Sequence, residues 1–192
     1  MKLKRVEKIR DEYFDNNETL SQQSLDELRQ HLEGKDEDQL CRAISLVTDA
    51  RLMQFVPLMA KHLNHEDSYV RESLIGKLLG ILKLPEYAEI GFKMAKEDKA
   101  SNVRGLATFS LGEVLPYVED PSLRHRIANY LYQNSLNWKN KDKKHSAYYS
   151  VLAALGVSPP DRPRFTARFG LPREVEAPKL KEFKKKYLSG AV

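Results

Sequence analysis

Residues 65–82 read HEDSYVRESLIGKLLGIL, and residues 98–115 read DKASNVRGLATFSLGEVL. Each stretch opens on an acidic turn, continues with Val-Arg and runs into an apolar segment containing Leu-Gly. Val70-Arg71 and Val103-Arg104 stand 33 residues apart. Apolar side chains recur at helical spacing in both. Val70, Leu74, Leu78 and Leu82 line the first, and Val103, Leu106, Ala107, Leu111 and Val114 line the second. An amphipathic helix of this kind cannot bury its apolar face alone, so recurrence implies stacked copies of one unit.

Reading outward, the chain divides into helices with short breaks. Residues 2–14 form a first helix. Ser21 caps a second, with Leu25, Leu28 and Leu32 on one face. After the turn EGKDE, Leu40, Ile44 and Val47 make the next stripe. Residues 51–63 read as a helix that Pro57 bends or interrupts. Asp67 or Ser68 caps the helix of Val70. Pro85 opens another, with Tyr87, Ile90, Phe92 and Met94 as its apolar surface. Ser101 caps the helix of Val103, and Asp120-Pro121 opens one carrying Leu123, Ile127, Tyr130 and Leu131. HSAYYSVLAALG, residues 145–156, is the last strong helix, stopped by Gly156 and Pro159.

These helices pair. Second helices begin near Asp36, Asp67, Asp98 and Asp142, and Leu-Gly recurs at Leu79-Gly80, Leu111-Gly112 and Leu155-Gly156. The predicted organisation is an N-terminal capping helix within residues 1–20, about four helix pairs over 21–156, and an extended, basic, proline-rich arm over 157–192. The arm holds 5 of the 9 prolines, which deny it a long helix before Pro178. Phe165, Phe169 and Leu171 give it apolar anchors.

With those residues in view, the pattern resembles HEAT repeats of the short bacterial kind. In that family a proline lies in the first helix, an aspartate near the turn, and Val-Arg early in the second helix. Pro57, Asp67, Val70 and Arg71 match, as do Asp98, Val103 and Arg104 in the following copy, where the proline stands at the helix entry as Pro85. The first copy has no Val-Arg, and Ala147-Tyr148 replaces it in the last. The resemblance implies an all-α solenoid of antiparallel helix pairs. It also implies a structural ladder in which Arg71 and Arg104 bond the turn acids Asp67 and Asp98 of neighbouring units.

For function, the resemblance implies a non-enzymatic adapter, partner-specific chaperone or inhibitor of the immunity-protein type. Such a protein holds a protein or peptide partner on a curved surface without a cofactor. Glu72, Lys77, Arg104, Thr108 and Tyr148 are the expected surface residues. One family of alkylpurine DNA glycosylases also resembles HEAT repeats, so nucleic-acid binding is the alternative. Lyases that attach bilin pigments are similar only in the shared repeat.

Charge gives the alternative its location. Residues 1–123 carry 17 basic against 22 acidic side chains, whereas residues 124–192 carry 15 against 5. The basic end interleaves Arg124, Arg126, Trp138, Lys139, Lys141, Lys143 and Lys144 with Tyr148 and Tyr149, then Arg162, Arg164, Arg168, Arg173 and the run 184–186. Cations beside aromatic rings suit a phosphate backbone. The plainer reading fills the core with the rings and solvates a loop with the lysines.

The remaining chemistry is sparse. His62 and His65 have a spacing that can bind metal, beside Glu66 and Asp67, but also describe a polar helix end. Cys41 is the sole cysteine and has apolar neighbours on its helix. The Asp36-Glu37-Asp38 and Glu97-Asp98 clusters lie where helix caps and dipoles explain them. Hydrolase and nucleotide-binding signatures are missing. The expectation is no catalytic residue, no metal and no cofactor. A charged start and the lack of an apolar run near 18 residues predict a cytoplasmic protein with no membrane contact.

Overall fold

The structure, a computed structural model, describes residues 5–16, 19–137, 141–162 and 173–189, and of 141–143 and 173–175 the backbone alone. Helix is the only regular secondary structure among them. The chain forms two compact units, Met1–Lys77 and Leu78–Val192.

In the first unit α1 (Val6–Asp15) packs on α2 (Gln22–Glu33) and α3 (Glu37–Asp49). Ser21 accepts the Ser24 N–H at 3.2 Å and Asp36 that of Gln39 at 3.1 Å, so both later helices start on a side-chain cap. Ile9, Leu28, Leu32, Leu40, Ile44 and Val47 are buried between them, while Leu25 is half-buried. α1 opens at Val6, where the Gln39 side-chain oxygen takes the free N–H at 2.9 Å. Residues 2–4 of the expected helix lie outside the described residues.

Residues 51–63 do not form one helix. Arg51 takes φ 49° and closes α3, and short 3₁₀ turns at Met53–Phe55 and Lys61–Asn64 flank α4 (Val56–Ala60). Pro57 is the reason. It has no N–H to give, so it is at home only in a first turn, where that hydrogen has no helical acceptor. A helix begun at residue 51 would carry it in the interior. α5 (Ser68–Ile75) follows, with the Asp67 carboxylate accepting the Tyr69 N–H at 2.7 Å. α2 packs on α3 and α4, and α5 packs on α3 and on the turn that follows α4.

α5 runs into a π-helical stretch, Gly76–Ile81, and the division between the units falls inside it. From Val70 to Leu79 is nine residues, but from Val103 to Leu111 only eight. A π turn closes on the residue five back instead of four, so it accommodates the additional residue without ending the helix.

In the second unit α6 (Ala88–Glu97), α7 (Ser101–Val114), α8 (Pro121–Ser135), α9 (Lys141–Ala154) and α10 (Arg173–Tyr187) follow in order. α6 packs on α7, α7 on α9, α8 on α9, and α10 on both α8 and α9. Val103, Ala107, Leu111, Ile127, Leu131, Val151 and Phe183 are fully buried. Ser101 is the first residue of α7 and not its cap; Ala100 holds that position without a side-chain bond. Asp120 caps α8 through the Ser122 N–H at 2.8 Å.

The Leu-Gly recurrence is three different things. Gly80 sits in the π-helical stretch, where a Cβ would stand 3.2 Å from Ser110 Oγ. Gly112 lies inside α7 against the backbone of α9. Gly156, at φ 81°, ends α9.

The C-terminal arm is not extended over its described length. α10 spans Pro178 and begins five residues before it. Glu176, Leu180 and Phe183, at helical spacing, are buried against the unit. That burial outweighs the lost hydrogen bond and the steric conflict that a proline inside a helix costs. Phe165, Phe169 and Leu171 lie outside the described residues. α9 begins at Lys141, next to Asp142 where the repeat spacing puts a second helix and ahead of the apolar run 145–156, so Lys141, Lys143 and Lys144 belong to a helix and not to a loop.

Candidate functional site

The paired sequences of the opening stretch build the same turn twice. Arg71 Nη1 donates to the carbonyls of His65 at 2.7 Å and Glu66 at 2.9 Å. Arg104 Nη1 donates to those of Asp98 at 2.6 Å and Lys99 at 3.1 Å. In each case the acceptors stand six and five residues upstream. The first turn residue then receives the N–H two residues on, His65 Nδ1 from Asp67 at 3.1 Å and Asp98 Oδ1 from Ala100 at 2.8 Å. An Nδ1 that accepts carries no proton, so the His65 ring hydrogen resides on Nε2. Geometrically Asp98 corresponds to His65, not to Asp67. These bonds reach the main chain of the arginine's own turn, where the resemblance implied Asp67 and Asp98 of neighbouring units.

His62 is drawn elsewhere, its Nε2 donating to the Leu32 carbonyl at 2.6 Å. Among the described residues no three His, Cys, Asp or Glu side chains converge as a metal set. Cys41 is half-buried in a cleft of about 260 Å³ with Glu7, Arg10, Asp38 and Arg42. Burial, then the charges of Asp67, Asp38 and Glu37, push its thiol up, away from the reactive thiolate.

Several residues expected on a partner surface are inside. Thr108 is buried; its hydroxyl donates to the Arg104 carbonyl at 2.8 Å and lies 3.2 Å from Tyr130 Oη. Tyr130 in turn donates to the Ala95 carbonyl at 3.0 Å, knitting α6, α7 and α8 together, and burial pushes its phenol up. Tyr148 is 1% exposed. Arg126 is exposed but held by Glu89 in a two-pronged pair at 2.6 and 3.3 Å. Glu72 and Lys77 are half-buried. Trp138 and Lys139 lie outside the described residues, as do the side chains of Lys141 and Lys143.

Lys144 supplies the largest correction. Its Nζ stands 2.7 Å from Glu176 Oε2, and neither side chain is more than 4% exposed. This pair binds α10 to α9. Tyr148, one turn along α9 from Lys144, shares that interior, and its phenol is pushed up to about 12 by burial, then by the charge of Glu176. Arg162 is similarly internal. Its guanidinium donates to Glu113 at 2.7 Å and to the Val157 carbonyl at 3.0 Å, over the Phe109 ring. Lys83 reaches the same carboxylate at 3.7 Å. Neither Glu113 nor Glu176 stood out in the sequence. Only the register of Glu176 with Leu180 and Phe183 marked it as inward-facing.

Arg124 has a different setting. With Pro116, Pro121, His125, Lys186, Tyr187 and Ser189 it lines a cleft of about 510 Å³. Lys186 Nζ and Tyr187 Oη both donate to the Ala154 carbonyl, at 3.3 and 2.9 Å, which pins the end of α10 to the end of α9. His125 Nδ1 is shielded from solvent and has no hydrogen-bond partner. Lys184 lies over the Tyr132 ring and Lys185 is exposed.

Comparison with protein families, with characterised proteins and with solved structures finds no match to this chain. No helix among the described residues is long and apolar enough to cross a membrane.

Proposed function

From these observations, we propose that the chain is a non-enzymatic binding protein built as a HEAT-like α-solenoid, which holds a protein or peptide partner as an adapter, chaperone or inhibitor. The observation that carries the reading is the turn built twice, with an arginine clamping the two carbonyls at the same upstream positions. The packing order supports it: α3 packs on α5 in one unit and α7 on α9 in the other, second helix on second helix. Repeats of this kind present a long, rigid surface whose shape and charge select a partner.

Affinity isolation, reconstitution from purified components and calorimetry test the reading. The expected result is a stoichiometric complex with one protein. A solenoid predicts an elongated molecule, so under this reading scattering should return a radius of gyration above the roughly 16 Å of a compact globule of this length.

The cations Lys184, Lys185 and Lys186 on the last turn of α10, with Lys184 over Tyr132, favour nucleic acid as the second reading. It predicts a gel shift with DNA or RNA whose affinity falls steeply between about 50 and 200 mM salt. A shift of that kind, with no protein complex, overturns the first reading.

A further inference from the structure

We infer that the cleft between the start of α8 and the end of α10 is the docking site for an acidic peptide segment of the partner, a deepening that rests on the binding-protein reading. Three features of the cleft carry this. The first is charge. Arg124 makes no ion pair among the described residues, and Lys186 keeps two ammonium hydrogens beyond the one given to Ala154. The second is the orientation of His125. Its Nδ1 is sealed away without a hydrogen-bond partner, while the residue lines the cleft. The third is the apolar wall of Pro116, Pro121 and Tyr187, with Tyr117 half exposed beside it in sequence.

Donors for carboxylates next to flat apolar surface match a peptide in which Asp or Glu alternates with apolar side chains. A nucleic-acid strand fits less well. Glu119 and Asp120 are exposed immediately before Pro121, and Arg126 is already neutralised by Glu89. Those acids are compatible with carboxylates set apart by apolar residues but repel an unbroken row of phosphates. The Ala154 carbonyl bonds hold the α10 side of the cleft in place before any ligand arrives, which lowers the ordering cost of binding.

The test uses the full chain and a short fluorescein-labelled peptide of alternating Glu and Leu, followed by anisotropy, with a Gln-Leu peptide and a single-stranded oligonucleotide as competitors. The expected result is saturable binding of the Glu-Leu peptide that neither competitor displaces. Arg124→Glu and Lys186→Gln each weaken it about tenfold or more with unchanged circular dichroism. If either variant misfolds, the His125 ring resonances of the unchanged chain provide the readout, and they shift on peptide addition. Binding that the Gln-Leu peptide matches, that the oligonucleotide displaces, or that leaves His125 unmoved overturns the inference. So does occupation of the cleft by a second copy, seen as a dimer lost in Arg124→Glu. A purified protein partner that binds the Arg124→Glu chain as tightly as the original removes the cleft and leaves the binding-protein reading intact. Failure to find any protein partner removes that reading itself.

Discussion

Gly112 meets Ser150 so closely that a Cβ on the glycine would stand 2.2 Å from the serine carbonyl oxygen and 2.4 Å from its Cα. The obstacle is backbone, which cannot swing aside as a side-chain end can. Ser150 Oγ completes the crossing by donating to the Thr108 carbonyl at 2.7 Å. Gly112→Ala should therefore destabilise by about 1–3 kcal/mol, despite the better helix propensity of alanine. Gly105, on the same helix, has open space where its Cβ would be. Gly105→Ala should stabilise by about 0.5–1 kcal/mol. Urea melts of the two variants should shift in opposite directions, and equal shifts would refute the close crossing.

The turn clamp is structural in both copies. Arg71→Ala and Arg104→Ala should each cost about 2 kcal/mol, because two carbonyls in each turn lose a charged donor. Arg71, at 5% exposure, should show the larger effect. The correspondence of His65 with Asp98 is testable separately. His65→Asp should keep the acceptor and leave stability near that of the parent, whereas His65→Ala should lose about 1 kcal/mol. Equal losses in the two His65 variants would show that the Nδ1 bond contributes nothing.

Lys144 and Glu176 form a buried pair whose members depend on each other. Lys144→Met or Glu176→Gln alone leaves an uncompensated buried group and should cost about 3–5 kcal/mol. Combining Lys144→Met with Glu176→Leu should recover most of that loss. Hydrogen exchange in α10 reports the effect directly. Protection of Leu180 and Phe183 should collapse in the single variants and return in the double one. A double variant no better than the singles would contradict the pairing.

Tyr148 makes stability fall on the alkaline side. Its phenol pKa is raised in the fold, so below the unfolded value near 10 its contribution is fully present. Above that pH the unfolded chain releases a proton that the folded chain retains, and stability declines as pH rises toward about 12. The slope of unfolding free energy between those limits should flatten in Tyr148→Phe. An unchanged slope would mean that the ring titrates as if exposed.

What could be read from sequence was whatever is short-range. Ser21, Asp36, Asp67 and Asp120 cap helices through N–H groups two or three residues away, and apolar residues repeat at a spacing that any helix must obey. Those two regularities were enough for helix as the regular structure of the described residues, whereas a role for the arginine of Val-Arg came only from the family resemblance, which placed its bonds on the acids of neighbouring units and not on the carbonyls of its own turn. They misplaced starts wherever a distant group decided them. α1 opens where Gln39 waits for its free N–H, and α10 crosses Pro178 because Glu176, Leu180 and Phe183 bury on their unit.

Site residues were harder to read for the same reason. Lys144 looked available to a partner or to water because its carboxylate lies 32 residues further on, at Glu176. Thr108 and Tyr148 looked available because nothing local shows what covers them. Arg124 makes no ion pair among the described residues, while Glu89, far away in sequence, neutralises Arg126. Periodicity and capping are settled within a helical turn, and so the residues themselves determined them. Which charges stay in water depends on partners brought together from across the chain, and that only the tertiary structure decided.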